Sequence, residues 1–227
     1  MFYFDWTYML IIPGLILGIW AQNKVRHAYA EYSRIPTRLG RSAAVVVDDL
    51  LRRNGNGKVR IGRVRGELTD HYNPGNETLN LSDGVYASNS IAALGIAAHE
   101  AGHAMQKHDG YLPLQIRSAI VPAVNICSGL STPMFFLGIL LSFPLLQTLG
   151  ILLFAASTVF ALVTLPVEFN ASRRAITMLT AGGYVTGEEE RGVRKVLQAA
   201  ALTYVAAAVT SMLSLLRLVL ISRRRND

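Results

Sequence analysis

The sequence predicts a mainly α integral membrane protein: about four transmembrane helices, a small β-hairpin, and one helix that carries metal-ligand residue types. Three observations lead there. Apolar runs long enough to cross a bilayer recur along a chain of 227 residues that is 51% hydrophobic. The formal charge of +7 comes from Lys and Arg that flank those runs. They form no patch interleaved with aromatics, which favours a lipid bilayer as partner and argues against nucleic acid. Between the first two runs stands His99-Glu100-Ala101-Gly102-His103. The one cysteine, Cys127, lies in an apolar run, so no disulfide framework is possible and the thiol reads as a small core group.

Residues 1–22 read as an N-terminal transmembrane helix. The apolar run 8–21 has Trp6 and Trp20 near its ends, as at membrane interfaces. The start carries Asp5 and no Lys or Arg, unlike a secretory leader, so the helix is expected to stay uncleaved and to begin outside. Lys24, Arg26, Arg34, Arg38 and Arg41 follow, which places 23–117 in the cytoplasm. Within it, 42–54 has apolar residues at Val45, Val46, Leu50 and Leu51 with Gly55 as a stop, a short amphipathic helix. Residues 58–62 alternate like a strand. Residues 68–72 and 78–81 read as a hairpin around Asn73-Pro74-Gly75-Asn76.

Residues 118–166 read as a two-span hairpin. The first span, 118–141, contains Pro122 and Pro133; Phe143-Pro144 makes the break; 147–165 is the second span. In 167–200, Pro166 is expected to open a helix reaching about Leu179, Gly182-Gly183 to break it, and 186–200 to form another. Residues 201–222 are the last span, interrupted by Arg217 and followed by Arg223-Arg224-Arg225. Four spans that start outside end outside, yet this tail is basic. Either the last run is not a full span, or the first segment outweighs the tail in setting orientation.

Two histidines four apart on a helix lie about 40° apart around its axis, so both imidazoles project from one face. That geometry suits a tetrahedral Zn²⁺, bound by neutral imidazole nitrogen at about 2.0–2.1 Å. Glu100 can reach a metal-bound water as general base. Residues 91–98 form an Ala-rich lead-in, with Ser88 and Ser90 as N-cap candidates, and polar 106–110 ends the helix. The apolar run 91–105 is shorter than the ~20 residues a span needs, so the metal sits at or near the membrane surface. The competing reading is a buried helix that carries these groups by coincidence. Three ionisable groups in five residues are costly to bury without a metal or partners. Ala101 and Gly102 let another element, or a substrate, come close.

A third protein ligand would leave the fourth position open for water. After His103 the acids are Asp109, Glu168, Glu188, Glu189, Glu190 and Asp227, and the histidine is His108. Asp109 is spaced like the last metzincin ligand, but that pattern needs Gly where Gln106 stands. His108 leaves the ligand face if the helix continues. Glu188–Glu190 look like a solvated helix start. Glu168 is left, its competing reading being a charge at the membrane edge. A hairpin of two spans explains how it returns to the same side as the histidines.

The stretch His99-Glu-Ala-Gly-His103, followed by Glu168-Phe-Asn-Ala-Ser-Arg-Arg, resembles the YugP-type membrane zinc metallopeptidases of bacteria. More distantly it is similar to the HtpX and CAAX prenyl protease zincins. Asp70-His71-Tyr72-Asn73-Pro74 and Leu79-Asn80-Leu81-Ser82 fit the same family, with Asn73 and Asn170 standing where Asp is expected. The resemblance implies a zincin-like gluzincin core, one Zn²⁺ per chain, and His99, His103 and Glu168 as its ligands. It implies Glu100 as catalytic base, a peptide or protein substrate (membrane-associated ones included), and a multi-pass protein of the bacterial plasma membrane whose site faces the cytoplasm.

Four further residues are candidates. His71 and Tyr72 are placed to donate to a developing oxyanion or, more plainly, to pack and cap the hairpin. Arg173 and Arg174 are placed to pair with the Glu168 carboxylate or the hairpin, or are plain cytoplasmic-face charges. Two rival functions remain: a site-2-type intramembrane protease, which uses a later Asp ligand that these spans lack, and a non-catalytic membrane scaffold with a structural zinc, which would need a fourth protein ligand.

Overall fold

The computed structural model describes residues 6–226. Met1–Asp5, and with them the Asp5 of the expected outside start, lie outside the described residues. The elements run, in chain order, from a 3₁₀ turn at Trp6–Leu10 through α1 (Ile12–Tyr32), α2 (Ala43–Arg53), β1 (Arg60–Val64), β2 (His71–Asn73), β3 (Thr78–Ser82), the short α3 (Asp83–Tyr86), α4 (Ile91–His108), α5 (Leu112–Leu140) and α6 (Pro144–Ala181) to α7 (Glu188–Asn226). Four helical stretches are long and apolar enough to cross a membrane: Trp6–Tyr32, Leu112–Leu140, Pro144–Ala181 and Glu188–Arg224.

The chain divides into two units. One takes the chain up to Gln22, Gln115–Pro166 and the chain from Thr203; the other takes Asn23–Leu114 and Val167–Leu202. In the first, α5 and α6 pack where Gly150 backs onto Phe135 and Gly138 onto Gln147, and the Gln147 amide donates to the Gly138 carbonyl. Gly14 of α1 lies against Thr210 of α7.

The second unit is built around α4. Ala92, Ala93, Leu94, Ala97, Ala98, Ala101 and Ala104 are buried, so small side chains surround this helix on most sides. Its start is fixed by Ser90, whose Oγ accepts from the Ala93 N–H at 3.2 Å. Its end is fixed by Asp109 as C-cap and by Gly110 at φ 66°, a left-handed position that glycine takes without strain. Around it pack Val46, Val47, Leu50 and Leu51 of α2, Leu79 and Leu81 of β3, Met178 and Leu179 of α6, and Val193, Val196 and Leu197 of α7.

The sheet has the order β1-β3-β2. β2 and β3 form the expected antiparallel hairpin, with His71 opposite Asn80, Tyr72 opposite Leu79 and Asn73 opposite Thr78. Its turn is held by the Asn73 side chain, which accepts from the Gly75 N–H at 2.8 Å. The first strand begins at His71 rather than at 68, because Gly66 at φ 110° and Leu68 at φ 53° break the extended run. The strand expected at 58–62 lies at Arg60–Val64 and pairs with β3 in parallel.

Three helix boundaries differ from expectation. α1 runs past residue 22 to Tyr32, since 23–32 contains Ala, Glu, Lys and Arg but no Gly or Pro: polarity changes there while helix propensity does not. Pro166 opens no helix; it sits inside α6, which is continuous from Pro144 to Ala181. The cost is one missing N–H inside an already formed helix. Residues 186–200 and 202–221 are likewise one helix, α7, because nothing between them breaks it. Gly182 and Gly183 end α6 as expected, with Gly183 at φ 70°.

α4 and α6 come into close contact at Gly102. A Cβ added there would lie 2.5 Å from the Ala171 carbonyl oxygen, a backbone atom that cannot swing aside. Gly102→Val should therefore destabilise the protein by about 1–3 kcal/mol through overpacking. Gly18→Ala, where an added Cβ meets nothing within 4 Å, should not. Thermal unfolding in detergent reads both, and equal midpoints for Gly102→Val and the parent would contradict the packing.

Candidate metal centre

His99 and His103 project from α4 toward Glu168 on α6, and ligand atoms of the three lie within 4.8 Å of one another. Glu168 Oε2 is 3.2 Å from His99 Nε2 and 3.6 Å from His103 Nε2. A tetrahedral ion with ligands at about 2.0–2.1 Å has ligand–ligand edges of about 3.3 Å, close to these two separations. The donor set of two imidazoles and a carboxylate fits as well. The two rings meet edge-on with centroids 4.8 Å apart. Glu168 is 2% exposed. The Gly102–Ala171 contact is what brings its helix within reach.

Each imidazole is held from behind. His99 Nδ1 lies 3.1 Å from Ser172 Oγ, and His103 Nδ1 lies 3.0 Å from Gln106 Oε1. Both Nε2 atoms are thus turned to Glu168, as outer partners do for histidine ligands. Sequence reasoning missed both residues. In sequence Gln106 belongs to the polar helix end, yet it is fully buried. Spacing was the available signal: Gln106 is three after His103 and Ser172 four after Glu168, each on the same helix face.

Glu100 is tied to the hairpin. Its Oε2 accepts from the Tyr72 backbone N–H at 2.8 Å. Enclosure pushes the Glu100 carboxyl above the ordinary carboxylate range, while His99, His103 and the Tyr72 N–H pull the other way. So Tyr72 reaches the site through its main chain. Its side chain packs against the core, and burial, then the Glu77 charge, raises the phenol to about 12. The His71 ring bonds within the sheet region, Nδ1 to the Thr69 carbonyl at 2.9 Å and Nε2 to the Asn80 amide at 3.1 Å.

Arg173 is exposed. Arg174 donates to Asn170 Oδ1 at 2.8 Å and pairs with the Asp109 carboxylate. Asp109 caps α4 in that ion pair and is outside the ligand cluster; His108 is exposed.

A mainly α chain with four candidate spans, and with a His-Glu-x-x-His helix whose two histidines meet a buried glutamate from another helix, has the features of a membrane metallopeptidase. Residues 7–223 match the family described as "putative neutral zinc metallopeptidase", and the chain belongs to that family. It is 46% identical over 218 residues, 96% of this chain and 97% of the relative, to the "putative membrane protease YugP" of Bacillus subtilis (strain 168). No solved structure matches.

The cluster predicts opposite outcomes for two acids. Glu168→Ala should strip or greatly weaken bound zinc in the presence of a chelator, because two imidazoles alone hold it poorly. Asp109→Ala should leave zinc content within a few-fold. Metal analysis of the purified proteins distinguishes them, and the reverse pattern would remove Glu168 from the ligand set.

Proposed function

We propose that the protein is a membrane-bound zinc endopeptidase, with one Zn²⁺ per chain held by His99, His103 and Glu168 and with Glu100 as general base. The observation that carries this reading is the Glu100 carboxylate, fixed at 2.8 Å from the Tyr72 N–H beside the three ligand atoms. A structural zinc site has no use for such a group, whereas peptide hydrolysis needs one. When bound, the ion would polarise a scissile carbonyl and make water more acidic.

The chain's own residues do the rest. Tyr72 restrains one oxygen of Glu100, which leaves the other to take a proton from water and pass it to the leaving amine. Desolvation makes this carboxyl a better proton acceptor than a surface glutamate. The edge strand β2, continuous with Tyr72, suits a substrate peptide that adds as a further strand. Hydrolysis of casein in detergent, abolished by chelator and restored by zinc, tests the activity. Glu100→Gln should keep the zinc and lose about 10²–10⁴-fold in rate; near-normal cleavage would make Glu100 structural.

The site is assigned to the cytoplasmic side. Residues 23–117 hold thirteen Lys and Arg. The two ends of the chain hold fewer: Arg217 stacks on Tyr8 with its guanidinium 3.9 Å from the ring centroid, and Arg224 lies 4.9 Å from that of Trp6. The first and last helices therefore run antiparallel, with Trp6 beside the end of α7, and α7 is long and apolar enough to be a full span. The larger basic set prevails under the positive-inside rule. A thiol introduced by Asn76→Cys should resist an impermeant reagent in intact cells and react after lysis; labelling of intact cells would reverse the topology.

A further inference from the structure

Resting on the zinc-site reading above, we propose that Gln106 is a positioning residue that decides which nitrogen of His103 serves as ligand. The orientation of its amide follows from its partners. Gln106 Nε2 lies 2.8 Å from the Val167 carbonyl oxygen, which can only accept, so the amino group must face it. The same amino group lies 3.0 Å from Asn170 Oδ1. The amide oxygen consequently faces the other way, toward His103 Nδ1 at 3.0 Å. An amide oxygen also only accepts. Nδ1 must therefore carry a ring hydrogen, which leaves Nε2, the nitrogen turned to Glu168, as the one free to serve a metal.

Gln106 is itself immobilised. It is fully buried, one helical turn after His103 on α4, and both halves of its amide are engaged. Asn170 Oδ1, which receives the Gln106 amino group, also receives Arg174 Nε at 2.8 Å, and Arg174 pairs with Asp109 at the end of α4. A closed path of bonds thus runs from His103 to α6 and back to the helix it left.

A leucine would fill the same space without needing these bonds, so a buried amide here stabilises only through them. Being neutral, Gln106 also adds no third negative charge beside Glu100 and Glu168. His99 lacks an equivalent constraint. The Ser172 hydroxyl at its Nδ1 either donates or accepts and so selects no tautomer.

The test uses the full-length protein in detergent and two readouts: zinc affinity by chelator competition, and the ring-nitrogen signals of ¹⁵N-histidine in metal-free protein at a pH where imidazole is neutral. Gln106→Leu should weaken zinc about 10–100-fold and move the His103 signals away from the Nδ1–H tautomer. Gln106→Glu keeps an acceptor against Nδ1 and should retain that tautomer, while its zinc affinity also answers to the lost amino group and the added acid. Wild-type affinity and tautomer in Gln106→Leu, or loss of the Nδ1–H tautomer in Gln106→Glu, would overturn the proposal. If Gln106→Leu fails to fold, the tautomer in Gln106→Glu decides alone: retained supports it, lost overturns it. His103→Ala in the same competition separates the two levels. Wild-type affinity there would sink the metal site itself, whereas lost affinity alongside an unaffected Gln106→Leu would sink only the role of Gln106.

Discussion

The centre depends on one close approach, the contact of Gly102 with the Ala171 carbonyl. With no side chain between them, α4 and α6 lie nearly backbone to backbone. Residues within about one turn of Ala171 then face residues within about one turn of Gly102. Glu168 meets His99 and His103, Ser172 reaches back to His99, and Gln106 reaches forward to Val167 and Asn170. A wider interhelical spacing would leave an imidazole pair and a carboxylate buried apart, each with the desolvation cost of a polar group that has lost its partner.

The bonds behind the two histidines matter because imidazole is ambiguous. Either ring nitrogen can carry the hydrogen, and either can ligate. The structure resolves the ambiguity at His103 with an amide pinned at both ends and leaves His99 to a hydroxyl. Both solutions avoid placing another carboxylate in a pocket that already holds Glu100 and Glu168. Restraint of the two rings and control of local charge are thus met by the same neutral side chains.

The spans and the ligand helix were legible in the sequence because their signals are local. Apolar run length reports a span directly, and the interval from His99 to His103 reports a shared helix face. The membership of Glu168 was reached by elimination and by family resemblance. Less legible were features decided by what lies across the fold. Pro166 looks like a helix start in sequence, but a helix already propagating from Pro144 carries through it. The polar switch after Gln22 looks like a boundary, yet side-chain polarity does not stop a helix. The parallel pairing of β1 with β3 leaves no mark in either strand alone. Gln106 was misread for the same reason: its type suggests solvent, and only the neighbouring α6 shows why it is buried.

The bond between the Tyr72 N–H and Glu100 joins a short hairpin to the helix that carries the two histidines. α4 and α6 supply the three clustered side chains, whereas the Glu100 carboxylate is steadied by a strand whose register depends on its pairing with β3. A one-residue slip of that hairpin would turn the Tyr72 N–H away from Glu100 and leave His99, His103 and Glu168 where they are. Errors in the sheet and errors in the helix pair are thus felt by different members of the same site.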